Sequence, residues 1–191
     1  MDSIVNFLFE VGMLNKTPRS GYQFLGSGRE SVAEHILRTI FVGYSLCKMD
    51  KSLDESRVLK MCLFHDLPEA RTGDMNYVNK KYVEVDEEKA VQELTESLFF
   101  GSDIKAVIDE FSRKETKEAL IALDADQIAL ILQLKEYGDL GNKYSEEWIK
   151  YALQRLNTKE AKELAGEIIK TDSSNWWFKE KSDWWVNGNK K

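Results

Sequence analysis

Imidazole, thiol and proline are scarce in this chain: 191 residues hold two histidines, two cysteines and two prolines. If His35 and His65 serve one site, no imidazole remains for a second ion. That excludes the histidine-rich two-metal hydrolases and points to a single-ion centre. Cys47 and Cys62 have no CxxC or other ligand spacing, which excludes a cysteine-held zinc site, and they read as buried free thiols in a reducing cytosol. With only Pro18 and Pro68 to interrupt it, apolar spacing of helical period runs almost throughout, so the expected fold class is all-α. Basic residues are no majority either: 27 Lys and Arg face 33 Asp and Glu, a formal net charge of −6. The two signs interleave along most helices, which removes the broad attraction to phosphate backbones that binders of long DNA or RNA depend on. No apolar run approaches the length that spans a bilayer. The opening MDSIVNFLFEVGML is acidic and amphipathic and lacks the basic n-region of a secretory signal, so a cytoplasmic location without a membrane partner is expected.

The length allows one domain with a sizeable core. A first helix is expected over 3–14, with Ile4, Phe7, Leu8, Val11 and Leu14 on one stripe. It is followed by the loop LNKTPRSGYQFLGSGRE, long for a helical bundle and carrying Arg19, Tyr22 and Arg29. Ser31-Val-Ala-Glu34 is a capping box that opens the second helix, and His35 lies one turn inside it. Ser52-Leu-Asp-Glu55 reads as a second box, opening a helix that ends near His65-Asp66, where Pro68 forces a break. Further helices are expected at roughly 86–100, 103–111, 116–137, 145–156 and 158–170.

A divalent metal takes neutral imidazole and ionised carboxylate converging from different elements. His35 on one helix, His65 and Asp66 at the end of another, and an aspartate from the apolar stretch LDADQIALIL form such a set. Asp124 and Asp126 are both candidates for the last place. Two residues apart on a helix, they point to nearly opposite sides, so only one can face the ion; both have apolar neighbours three and four positions away, and the pattern does not decide. A hydrolase also needs groups that handle the attacking water and the leaving oxygen, and Glu69 and Asp74 follow the break closely enough to serve. A phosphate substrate would need a cation besides the metal, for which a planar guanidinium is suited.

The strings ESVAEH, HDLPEARTGD and DADQIALILQLKEYGD, with PRSGY before them, resemble the HD-domain phosphohydrolases, and among these the small single-domain branch that includes the 5′-deoxynucleotidases. The resemblance covers about residues 1–140. It implies an HD-domain helical bundle with additional C-terminal helices, and metal ligands His35, His65, Asp66 and Asp126, which selects Asp126 over Asp124. Glu69 would hold the attacking water, Asp74 would act near the scissile ester oxygen, and Arg19 would bind the phosphate. Tyr22 is the candidate to stack on base or sugar. Where the bacterial relatives carry tryptophan after that arginine, this chain has Ser20, which puts deoxyribose selectivity in question. Ala70, where the guanosine tetraphosphate hydrolases have a second acid, and the absence of further histidines, which HD-type cyclic-dinucleotide phosphodiesterases add, weaken those two substrate classes.

The expected function is therefore a metal-dependent phosphomonoesterase acting on (deoxy)nucleoside 5′-monophosphates. The alternatives are an HD phosphohydrolase with another small phosphate substrate and a non-catalytic, metal-stabilised nucleotide-binding protein. Its cofactor would be one divalent transition metal, and Mn, Co, Fe, Ni and Zn all accept this donor set. The domain is expected to span 1–170, with core motifs at 31–137. The tryptophan-rich tail, 171–191, would pack on the domain or on a partner subunit, and a homodimer is expected.

Overall fold

A computed structural model of the protein describes residues 1–179 together with Trp185 and Gly188. Among these residues there is no strand, only one isolated antiparallel bridge between Pro18 and Ser31. The chain opens with α1 (Asp2–Val11), which tightens into a 3-10 turn, Gly12–Asn15, rather than running on as one helix to residue 14. The long loop contains one helical turn, α2 (Tyr22–Leu25). There follow α3 (Val32–Met49), α4 (Glu55–Phe64), the short α5 (Glu69–Thr72) and a 3-10 turn at Asn79–Lys81. The rest is α6 (Glu87–Thr95), α7 (Gly101–Arg113), α8 (Lys117–Asp139), α9 (Ser145–Gln154), α10 (Lys159–Lys170) and α11 (Asn175–Phe178).

Helix α8 is the axis of the molecule. Ile121, Ala122, Ala125, Ile128, Ile131 and Leu134 are fully buried around more than one face, because α3, α4, α7, α9 and α10 all pack on it. Each buried Ile or Leu there stabilises the fold by about 2–3 kcal/mol. A second cluster joins Leu14, Val32, Ile36 and Leu67 to Val91, Leu94, Ile104 and Ile108, fastening α6 and α7 to the other side of α3.

The helix starts follow their caps. Ser31 and Glu34 form the expected reciprocal box: the Glu34 amide donates to Ser31 Oγ at 3.2 Å and the Ser31 amide to Glu34 Oε2 at 2.7 Å. The box expected at Ser52 does not form. Asp54 caps α4, accepting from the Arg57 amide at 3.0 Å, while Ser52 bonds back to Asp50. An ionised carboxylate one residue from the helix start accepts from its free N–H groups better than a hydroxyl further back. The helix expected over 86–100 ends at Thr95, and the bonds Leu98 N–H to Thr95 O and Gly101 N–H to Leu98 O (3.0 Å each) turn the chain so that Leu98 and Phe100 join the second cluster.

Asp124 is fully buried on α8, and its carboxylate accepts four hydrogen bonds: from the amide and side-chain nitrogen of Asn157 (2.8 and 3.0 Å) and from the amide and hydroxyl of Thr158 (both 2.7 Å). It thereby fixes the start of α10 against α8. Beyond α10, the Ser173 amide donates to Asp139 Oδ2 at 2.9 Å, and the rings of Trp177, Phe178 and Trp185 lie 5.2–5.6 Å apart. Ten residues of the tail's expected docking segment, Trp184 included, fall outside the described residues.

Asp124→Ala should destabilise the protein by about 2 kcal/mol, since four partly shielded donors at the start of α10 lose one buried, charged acceptor. Urea denaturation followed by circular dichroism measures this. An unchanged midpoint would show that the Asp124 network contributes nothing net.

Candidate metal and phosphate site

The break at Pro68 positions the centre of the site. His65 is the last residue carried by α4, its amide still bonded to Met61 O at 2.9 Å. Proline has no N–H to continue the ladder, so the chain turns through Leu67 and Pro68 and restarts as α5. Glu69, first in α5, is thus turned back beside Asp66. Gly73 ends α5 at φ +72°, a backbone region that disfavours any side chain, and returns the chain so that Asp74 faces the same space.

His35, from α3, places Nε2 2.9 Å from Asp126 Oδ1 on α8. His65 donates its Nδ1–H to Cys62 O at 3.0 Å, which leaves Nε2, a buried atom without a hydrogen-bond partner, turned toward the same point. One ligand atom from each of His35, His65 and Asp126 can be chosen so that all lie within 4.8 Å of one another. Asp66 lies outside that set, but its Oδ2 is 3.2 Å from His65 Nε2 and 3.7 Å from His35 Nε2. An orphaned imidazole nitrogen in a set with a second imidazole and a carboxylate suits a divalent transition metal. Asp124, two residues from Asp126, points away into the α10 network, as the helical period requires.

Arg19 reaches in from the loop, its guanidinium 3.2 Å from Asp66 Oδ2 and 3.9 Å from Asp74 Oδ1. The loop is held at both ends. Arg19 N–H bonds Glu30 O and Val32 N–H bonds Thr17 O, each at 2.9 Å, and the Arg29 amide donates to the Tyr137 hydroxyl at 3.2 Å. Gly28, at φ +84°, lies so close to the Tyr137 ring that a Cβ would meet it at 2.3 Å. Tyr22 belongs to the same anchorage: its hydroxyl donates to Glu30 at 3.0 Å and its ring meets Tyr137 edge-on at 5.6 Å, although it also lines the cavity. Asp74 is held by Ser20, whose amide and hydroxyl donate to its Oδ2 at 2.5 and 3.1 Å.

The electrostatics follow from four carboxylates, Asp66, Glu69, Asp74 and Asp126, sharing the site with one guanidinium. Burial opposes the charged form of Asp66, but His65, His35 and Arg19 together hold it near 2. Burial likewise opposes charge on Asp126, yet the hydrogen bond from His35 and the charges around it keep it well below the usual carboxylate range. Glu69 has no such partner. Burial, then Asp66 and Asp74, push it up to about 9, and its Oε2 is buried without a hydrogen bond. Burial would lower His65, but Asp66 and then Asp126 outweigh it and raise the imidazole to about 9.

Arg19, Asp66, Glu69, Asp74 and Asp126 line a cavity of about 580 Å³, within the range of small-molecule sites. Its other walls were not anticipated from the sequence: Tyr77, Gln127, Trp148, Tyr151 and Arg155. Trp148 and Tyr151 share a face of α9 at a spacing of three, and that amphipathic pattern reads as core packing until the cavity is seen. Ser20 was noted only as a departure from relatives, and its bond to Asp74 joins segments 54 residues apart.

A family model described as HD domain matches residues 11–168. The 5′-deoxynucleotidase HDDC2 of Bos taurus is 30% identical over 147 residues, covering 74% of this chain and 71% of that protein. The 5′-deoxynucleotidase hdd1 of Schizosaccharomyces pombe is 32% identical over 145 residues, covering 71% and 72%. Among solved structures, a conserved hypothetical protein from Pyrococcus furiosus superposes with a TM-score of 0.74 at 24% identity, covering 87% of this chain and 99% of that one. That last likeness shows the shared fold.

His65→Ala and Asp126→Ala should each purify without bound divalent metal, whereas Asp124→Ala, where folded, should retain it; elemental analysis of the three proteins decides between the two aspartates. Metal affinity should also depend on pH in a set direction. A raised imidazole pKa means that metal-free His65 keeps its proton up to about pH 9, and a ligand must lose it. Affinity should therefore rise about tenfold per pH unit from 7 to 9 and level off above, with proton release on binding below that point. Calorimetric titrations in buffers of different ionisation enthalpy measure both, and a flat profile would remove His65 from the ligand set.

Proposed function

The chain belongs to the HD-domain family and is an HD-type nucleotide phosphohydrolase; from that premise we propose that it hydrolyses 2′-deoxynucleoside 5′-monophosphates to nucleoside and phosphate. The observation that carries this reading is Glu69, a carboxyl with a buried, unpartnered oxygen, lining a nucleotide-sized cavity together with Arg19 and the candidate ligands Asp66 and Asp126. The deoxynucleotidase names of the relatives in cattle and fission yeast point to the same substrate class.

His35, His65, Asp66 and Asp126 would hold a single divalent ion. When bound, such an ion polarises a phosphoryl oxygen and lowers the pKa of a nearby water. Arg19 grips the phosphate, its planar fork meeting two oxygens at once and leaving Asp66 to the ligand set. Glu69 orients the attacking water and takes its proton. Burial, Asp66 and Asp74 favour the protonated form of Glu69, and positive charge brought to the ligand set would favour the carboxylate that accepts the proton. As the oxygen of that water bonds to phosphorus, the bond to the 5′ oxygen breaks, and that oxygen leaves as an alcohol by taking a proton from solvent, to which Glu69 returns the one it accepted. Asp74, fixed by Ser20, faces this ester oxygen.

The same reading has residues 1–170 as the catalytic domain and the tail as a docking strap. It has a cytoplasmic location, in keeping with two buried free thiols, and a homodimer, for which the exposed Leu37, Phe41 and Tyr44 on one stripe of α3 offer an apolar face.

Glu69→Gln should keep its metal and lose at least about a hundredfold in kcat, the low end for removing a general base. Phosphate release from a panel of deoxy- and ribonucleoside 5′-monophosphates, with elemental analysis of the same preparations, tests the residue and the substrate class together. Turnover near that of the unsubstituted enzyme with metal intact would remove Glu69 from the mechanism, and release from none of the panel would overturn the substrate assignment.

A further inference from the structure

We propose that the wall of the cavity formed by Tyr77, Trp148, Tyr151 and Arg155 is a base-reading site in which Arg155 selects guanine over adenine. The inference rests on the nucleotide reading above and deepens it. Besides Arg19 and the carboxylates of the candidate site, the cavity is lined by the aromatic rings of Tyr77, Trp148 and Tyr151 and by the polar side chains of Gln127 and Arg155, with Lys80 and Glu147 also on its wall.

These two are ordered. Gln127 directly follows Asp126 and donates Nε2–H to its Oδ2 at 2.8 Å, while its Oε1 accepts from an Arg155 guanidinium nitrogen at 3.0 Å. The guanidinium lies over the Tyr77 ring, 5.0 Å from its centroid. Arg155 is thus two hydrogen bonds removed from the candidate metal ligand Asp126, a separation suited to a ligand that has a phosphate at one end and a ring at the other. Among the described residues the partners of its side chain are the Gln127 oxygen and the Tyr77 face, and neither is a carboxylate. One bond and one stacking contact leave most of its N–H donors unused.

A surface of unused donors beside aromatic faces selects by chemistry. Trp148, half-buried with its ring edge against the backbone of Gly21, is a rigid plane on which a base can stack, and Tyr151 lies one turn along the same helix. A guanidinium fork matches two adjacent acceptors, and of the two purines guanine alone presents such a pair on its outer edge, O6 beside N7. Adenine offers N7 next to an amino group, so a donor would meet donors and the fork could make one bond in place of two. Cytosine offers O2 beside N3 on a smaller ring, so the discrimination argued is between the purines.

Two measurements test this: kcat/KM for dGMP and dAMP in the otherwise unsubstituted, metal-loaded enzyme, and equilibrium dialysis of the same nucleotides against metal-loaded Glu69→Gln protein. Each is made with Arg155, Arg155→Ala and Arg155→Lys, with a thermal melt of each variant. The parent should prefer dGMP, and Arg155→Ala should weaken dGMP binding by about tenfold while changing dAMP by less than about twofold. Arg155→Lys should lose the preference as Ala does, because a point charge lacks the fork. Equal losses for both bases, no loss for either, rescue by lysine, no preference in the parent, or failure of either nucleotide to bind would each overturn the proposal. A dGMP preference that depends on Arg155 in dialysis, in an enzyme that releases phosphate from neither nucleotide, would instead sustain the base contact and overturn the hydrolysis reading.

Discussion

Four carboxylates converging on one partly buried guanidinium form the interaction on which the rest of the site depends. Asp66, Glu69 and Asp74 from one short stretch and Asp126 from α8 all act on Arg19, whose charged form they hold against the cost of burial. Such a group cannot remain fully ionised in a low-dielectric space on one cation alone. The response is uneven. The imidazoles help hold Asp66 and Asp126 below the usual carboxylate range, while on Glu69 burial, Asp66 and Asp74 outweigh Arg19 and His65 and favour the protonated form. The arrangement therefore favours whatever brings positive charge to the imidazoles and carries negative charge to the guanidinium, which is what a divalent ion and a phosphate would do.

Helix α8 serves this site and the fold through two aspartates in one turn. Asp126 faces the imidazoles, and Asp124, rotated to the other side, receives the ends of α9 and α10 through Asn157 and Thr158. A shift of α8 along its axis would misplace both at once, so the buried network on one side fixes the register of the ligand on the other. The apolar packing of α3, α4 and α8 gives that register its rigidity, and an imidazole from each of the first two elements is presented across it.

Much of this was legible in the sequence because it is local. The capping box at Ser31 placed His35 one turn into its helix, and the missing amide of Pro68 placed the break that turns Glu69 back on Asp66. The box at Ser52 was misread because two adjacent candidates competed for one helix start and the nearer carboxylate, Asp54, won. Asp124 and Asp126 could not be separated by pattern, since α8 is buried on more than one face and both aspartates have apolar neighbours; resemblance chose between them, and the geometry gives Asp124 a purely internal set of partners. What could not be read were pairings across the chain: Ser20 with Asp74, Arg19 with Asp66, and Gln127 with Arg155. Nothing in the spacing of either partner announces the other.

The two faces of α9 bear on how such a domain divides its tasks. Trp148 and Tyr151 fit an amphipathic helix so well that they pass for core, and Trp148 does pack partly on the core while presenting its remaining surface to the cavity. The groups proposed for the chemistry lie on α3, α4, α5, α8 and the loop before α3, braced by hydrogen bonds on every side. The groups proposed for reading the base lie on α9, just beyond it and, for Tyr77, in the segment after α5, and Arg155 is joined to the site through Gln127. Substitutions at Tyr77, Tyr151 or Arg155, all largely exposed, leave the buried network untouched, so the outer wall is free to change the base it accepts while the metal and phosphate geometry stays fixed.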